Sequence, residues 1–102
     1  MASQAASLAP IPERELAESP AGLAFVAAFK QQHPAWADRE DKYIGRYGAR
    51  LCLSDLKDGR QVALSRVPSR FEQTDGKPSA VEAEQILNLA IQMLCPDKAG
   101  VA

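Results

Sequence analysis

The sequence predicts a small single-domain α+β protein, in which a helix, an antiparallel β-hairpin and a second helix follow one another. Two segments with helical apolar spacing carry clear start and stop signals, and the stretch between them alternates in side-chain character. The chain has 102 residues, of which 46% are hydrophobic and 25% are charged, as is typical of soluble globular proteins. A chain of this length buries one modest core, so two-domain enzymes, barrels and long repeat arrays are excluded.

The first long helix is predicted to begin at Pro20 and to end before Pro34. Ser19 is a good N-cap, and proline at the first helical position loses no hydrogen bond. His33 is pushed out of the helical region because it precedes a proline. A shorter helical turn is predicted over residues 13–18. The predicted apolar stripe consists of Leu23, Val26 and Ala27, widened by Phe25 and Phe29.

The hairpin prediction rests on alternation along residues 42–53. The odd positions hold Tyr, Gly, Tyr, Ala, Leu and Leu, and the even positions include three basic side chains. Two glycines within four residues also disfavour a helix. A turn is predicted at residues 57–59, a second strand over 61–67 closed by Pro68, and a short third strand over 70–73. Two helices would then cover one face of this small sheet.

The last helix carries the strongest local signals. Ser79 and Glu82 have the spacing of a capping box, and the Cys95-Pro96 pair is predicted to end the helix. Residues 1–12 are predicted to be a flexible tail, residues 13–95 the domain, and residues 96–102 a frayed end. The predicted apolar stripe is Val81, Ile86, Leu89, Ala90, Met93 and Leu94, with Ala83 and Leu87 at its edge.

Charge is unevenly distributed along the chain. Residues 39–70 carry eight basic and four acidic side chains, whereas the segments on either side are both net negative. On the predicted first strand, Lys42, Arg46 and Arg50 would share one face over about 13 Å. This face has three interpretations: a solvated surface, which is the commonest, a surface for an acidic protein partner, or a nucleic-acid ribbon.

Trp36 lies in a polar connection and has two interpretations. It folds back as a lid over the core, which is the more common fate, or it anchors a protein partner, since tryptophan and arginine are enriched at binding hot spots. Taken together, the residues predicted to bind a partner are Trp36, Arg39, Lys42, Arg46, Arg50, Arg60 and Arg66.

No catalytic, metal or cofactor site is predicted from the sequence. His33 is the only histidine, and Cys52 and Cys95 lie 43 positions apart without the closely spaced ligand pairs of a zinc site. The first basic residue is Arg14, so the charged start of a secretory signal is missing. We therefore expect a cytoplasmic protein in which the cysteines are reduced thiols rather than a disulfide. The longest apolar stretch is too short to span a bilayer.

These observations predict a non-enzymatic protein-binding module, such as an adaptor, a regulatory subunit or an inhibitor. It would act through the basic hairpin face and the Trp36 loop on a partner with an acidic surface. An alternative is a nucleic-acid-binding regulator that uses the same hairpin, and a third class is a small enzyme built on Cys52 or His33. A homodimer is a further alternative if Phe25 and Phe29 exceed what a small sheet can cover.

Overall fold

The computed structural model describes residues 13–72 and 76–99. Within these two stretches the chain forms α-helices and 3₁₀ turns but no β-strand, so the predicted α+β class with its hairpin is wrong. The described residues form the α-helices α1 (Glu13–Glu18), α2 (Pro20–Gln32), α3 (Asp41–Leu53), α4 (Arg60–Arg70) and α5 (Ala80–Leu94). Three short 3₁₀ helices cover Pro34–Trp36, Asp55–Asp58 and Pro96–Lys98.

Helices α3 and α4 occupy the stretch predicted to be a hairpin. Ile44, Gly48 and Cys52 are buried at intervals of four residues, which places them on one side of a helix. An interval of four also preserves odd or even parity, so the same pattern mimics the alternation of a strand. Pro68 lies inside α4 instead of closing a strand. Of the predicted third strand, residue 70 ends α4 and residue 73 lies outside the described residues.

The two glycines of α3 mark close helix contacts. A Cβ added at Gly48 would lie 2.8 Å from Cζ of Phe25 and closer still to Cε2 of that ring. At Gly45 an added Cβ would lie 3.3 Å from Cβ of Ala17 in α1. A helical glycine costs roughly 1 kcal/mol relative to alanine, and here the close packing of α1 and α2 against α3 offsets that cost.

The predicted ends of α2 and α5 are confirmed. Ser19 Oγ accepts a hydrogen bond from the backbone N–H of Gly22, and Ser79 and Glu82 form the complete capping box. The apolar stripes differ from the prediction, however, because Leu23 is 58% exposed and Val81 is 68% exposed. Both lie near the beginning of their helix, where the neighbouring helices do not cover them.

An aromatic cluster fills the core beneath α2. Phe29 stacks on Phe71 with ring centroids 5.2 Å apart and meets the edge of Trp36 at 5.4 Å. Tyr47 contacts Phe71 at 5.5 Å. Phe25 and Phe29 are fully buried. These two rings therefore leave no surplus apolar surface, and the homodimer argument that relied on it is wrong.

A disulfide between Cys52 and Cys95 joins the C-terminal ends of α3 and α5. The prediction of reduced thiols is therefore wrong. Lys98 Nζ donates a hydrogen bond of 2.7 Å to the backbone carbonyl of Cys52, so the turn after α5 is tied to the same place. None of the described helices combines the length and the apolar character needed to cross a membrane.

Replacing Gly48 with alanine tests the contact between α2 and α3. We expect Gly48→Ala to lower the free energy of unfolding by about 1–3 kcal/mol, because the new methyl group overpacks the buried Phe25 ring. Gly45→Ala is the matched control and should cost less, since its neighbours stand farther away. Chemical denaturation measures both values. A stabilised Gly48→Ala variant, as helix propensity alone would give, would contradict the contact.

Candidate functional site

The basic residues of α3 still share one side of their element. Lys42, Arg46 and Arg50 follow one another at intervals of four residues, which on a helix spans about 12 Å. Helix and strand geometry agree on this point, because an interval of four satisfies both periods. The residues of the second predicted strand lie in α4. The arginines of α4 form ion pairs with carboxylates of other elements. The seven predicted residues therefore do not form one basic surface.

Arg50 is used inside the molecule. Its guanidinium donates hydrogen bonds of 2.9 and 2.7 Å to the two carboxylate oxygens of Glu13 in α1. These hydrogen bonds hold the pKa of Glu13 below its usual value and raise the pKa of Arg50. A two-pronged arginine–carboxylate pair of this kind has defined geometry. Arg50 thus fastens α1 to α3.

Arg60 and Arg66 are also paired with groups of this chain. Arg60 donates hydrogen bonds to the side chains of Asn88 at 2.9 Å and Glu84 at 3.4 Å, which links α4 to α5. Arg66 lies 3.1 Å from a carboxylate oxygen of Asp55 and 3.4 Å from one of Asp58. Because these guanidinium groups already have acceptors, they are poorly suited to hold a partner.

Asp55 is the one fully buried charged residue in the described part of the chain, with no exposed surface. Arg70 donates two hydrogen bonds to it, at 2.6 and 2.7 Å, and Arg66 donates a third. A buried carboxylate requires such compensation, because desolvation of an unpaired charge is costly. The sequence analysis assigned neither Asp55 nor Arg70 a role. Arginines four residues apart on a helix, after an acidic turn, are the signal that was present.

Trp36 is buried, as the lid interpretation describes. Arg39 places its guanidinium 5.0 Å from the centre of the indole ring, a cation–π distance. The indole packs against Phe29 and Phe71 and only 6% of the residue's surface is exposed. Trp36 therefore does not present an exposed anchor.

A groove between α1, α2 and α3 contains two of the predicted basic residues, Lys42 and Arg46. Its volume is about 190 Å³. Ala17 and Val26 form a buried apolar floor, Leu23 stands exposed beside it, and Lys42 and Arg46 contribute basic side chains. The sequence analysis found Lys42 and Arg46, but it assigned Leu23 to the core stripe and so missed the groove. The complete lining is Ala17, Glu18, Leu23, Val26, Asp41, Lys42 and Arg46.

The charges around the groove are almost balanced within the chain. Glu18 pairs with Arg14, Asp41 pairs with Lys30, and Lys42 lies 3.8 Å from Glu40. Arg46 is exposed and forms no ion pair with any residue of the two described stretches. The groove therefore combines an exposed apolar side chain with one arginine that forms no ion pair among the described residues.

A second cleft, of about 270 Å³, lies where the end of α2 meets the beginning of α5. His33 lines it, and its Nε2 atom is buried without a hydrogen-bond partner among the described residues. Burial lowers the pKa of His33, and the nearby Glu82 carboxylate acts in the opposite direction. The aromatic walls, Trp36 and Phe71, are packed into the core. Glu82 accepts a hydrogen bond of 2.9 Å from the Ser79 N–H, so its carboxylate already caps α5.

The residues considered for catalysis do not form a reactive group. Cys52 is fully buried and bonded to Cys95, so it provides no thiolate nucleophile. Nε2 of His33 has no hydrogen-bond partner among the described residues, whereas a catalytic base is oriented by such a bond. Over residues 13–72 and 76–99, no three potential ligands come together to hold a metal ion.

Comparison with known proteins adds no further constraint: the chain matches no family model, no curated protein and no solved structure.

Asp55 and Asp58 both pair with Arg66, so substituting each in turn tests the role of the buried carboxylate of Asp55. We expect Asp55→Asn to lower the free energy of unfolding by about 1.5–3 kcal/mol, because Arg66 and Arg70 lose a charged acceptor. Asp58→Asn removes the exposed partner of Arg66 and should change stability by less than about 0.5 kcal/mol. Urea denaturation at neutral pH gives both values. Equal losses in the two variants would contradict the assignment.

The pH dependence of stability tests the environment of His33. Because burial lowers the His33 pKa in the folded protein, the unfolded chain binds the proton more readily. Stability should therefore decrease as the pH falls below the usual histidine value of 6.5 and level off below the folded pKa. His33→Phe should abolish the decrease above the carboxylate range, since the chain has no other histidine. An unchanged profile in that variant would argue against this environment.

Proposed function

We propose that this protein is a non-enzymatic binding module that holds a segment of another protein in the groove between α1, α2 and α3. The observation that carries the proposal is the exposed Leu23 beside Arg46, an arginine that forms no ion pair with a described carboxylate. Arginine is enriched at binding hot spots, and apolar grooves bind amphipathic segments of other proteins. An adaptor, a regulatory subunit or an inhibitor could each use such a groove.

The groove also indicates the chemistry of its occupant. An aliphatic side chain would rest on Leu23 and Val26, and a carboxylate would pair with Arg46. This modifies the expectation of a broad acidic partner surface, because Arg50, Arg60 and Arg66 are engaged within the chain. The preferred segment therefore combines one aliphatic and one acidic residue at close spacing.

The nucleic-acid alternative loses its support, because it required a basic hairpin and α3 and α4 stand in its place. The expected cytoplasmic location is likewise not part of the proposal. That expectation rested on the missing secretory signal, whereas the disulfide between Cys52 and Cys95 is a bond that persists mainly in oxidising compartments.

Selection from a random peptide display library tests the proposal. We expect the full chain to enrich peptides with an aliphatic residue within one helical turn of Asp or Glu. Arg46→Glu should weaken their binding about tenfold or more, because the substitution places a like charge beside the peptide's carboxylate.

The matched control is Lys57→Glu. It makes the same charge change at an exposed position of the 3₁₀ helix after α3, outside the groove. Circular dichroism would show that both variants are folded. Enrichment of basic peptides, or equal effects of the two substitutions, would refute the proposed function.

A further inference from the structure

We propose that the occupant of the groove is a second copy of this chain, which inserts the first turn of its α5. This inference rests on the proposed function, because it uses the same groove. It names the partner, whereas the peptide selection tests only the chemistry that the groove accepts.

The first turn of α5 has the chemistry that the groove requires. Val81 is 68% exposed, more than the other large hydrophobic residues found exposed in the described chain, Leu23 and Tyr43. Glu84 follows three residues later on the same side of the helix, and its side chain is 61% exposed. Among residues 13–72 and 76–99 it forms one ion pair, a long one of 3.4 Å to Arg60. This turn therefore presents an aliphatic side chain and a carboxylate one helical turn apart.

The groove of the same copy is out of reach of this turn. The beginning of α5 lies at the end of α2, since Glu82 and Ile86 line one cleft with Gln32 and His33. Leu23 lies near the other end of α2, about 14 Å along the helix axis from Gln32. Because both patches are fixed on packed helices, the contact must form between two copies.

The N-terminal tail is a poorer occupant on charge grounds. Residues 1–12 contain no Asp or Glu, so their side chains offer Arg46 no carboxylate. Helix α5, in contrast, contains two acidic residues and no basic one. Arg46 of one copy and Glu84 of another are therefore of opposite charge. In a two-fold dimer each copy provides both patches, so the contact forms twice.

Sedimentation equilibrium of the full chain over a range of concentrations tests this contact. We expect a reversible dimer for the wild type. Arg46→Glu and Glu84→Lys should each lower the association constant about tenfold or more, since each places like charges together. Val81→Ser should weaken the dimer without altering charge. Lys57→Glu should leave it unchanged.

An equimolar mixture of Arg46→Glu and Glu84→Lys gives the decisive result. In a mixed dimer, one contact brings the two substituted positions together with reversed charges, and the other contact keeps the native Arg46 and Glu84. Mixed dimers should therefore recover the wild-type association constant within a few-fold. Lack of recovery, with both variants folded by circular dichroism, would overturn the contact.

The outcome also separates this inference from the proposed function. A wild type that stays monomeric at every concentration overturns self-association. If selected peptides still bind that monomer and depend on Arg46, the proposed function stands with a different protein as partner. If no such peptide binds either, both proposals fail.

Discussion

The close approach of Phe25 to Gly48 sets the spacing on which the rest of the structure depends. Because position 48 has no side chain, the Phe25 ring lies directly against the backbone of α3. This contact brings α2 close enough for Phe29 to reach Phe71 and Trp36. The same approach places Val26 beside Gly45, and Val26 forms part of the floor of the groove. Core and candidate site therefore share one packing constraint.

The ion pairs divide the arginines into structural and available groups. Arg50, Arg60 and Arg70 join helices or turns that are distant in sequence, and their acceptors are Glu13, Glu84 and Asp55. The pairs of Arg50 and Arg70 are two-pronged, and breaking the one at the buried Asp55 is strongly destabilising because a desolvated partner is left behind. Arg46 lies on the same side of α3 as Arg50 without such a partner in residues 13–72 and 76–99. The groove is distinguished by an arginine that has no ion pair among the described residues, rather than by its number of basic residues.

The disulfide and the proposed binding groove lie at opposite ends of α3. Its C-terminal end holds the disulfide of Cys52, with Lys98 bonded to the carbonyl of the same residue. Its N-terminal half carries Lys42 and Arg46 along the groove. Substitutions in the groove are therefore expected to change binding with little loss of stability, as exposed positions generally do.

The sequence by itself determined the ends of α2 and α5. Caps and prolines act through backbone atoms within a few residues, so the Ser19–Pro20 start and the Ser79–Glu82 capping box are visible without any tertiary information. It also indicated the side of α3 that carries Lys42 and Arg46. Only the tertiary structure decided that residues 41–53 form a helix. A spacing of four residues fits both helix and strand. Gly45 and Gly48 disfavour an isolated helix, but the packing of α1 and α2 against them stabilises α3. Tertiary packing likewise decided which arginines meet carboxylates and left Leu23 in the open, since these outcomes depend on residues far apart in the chain.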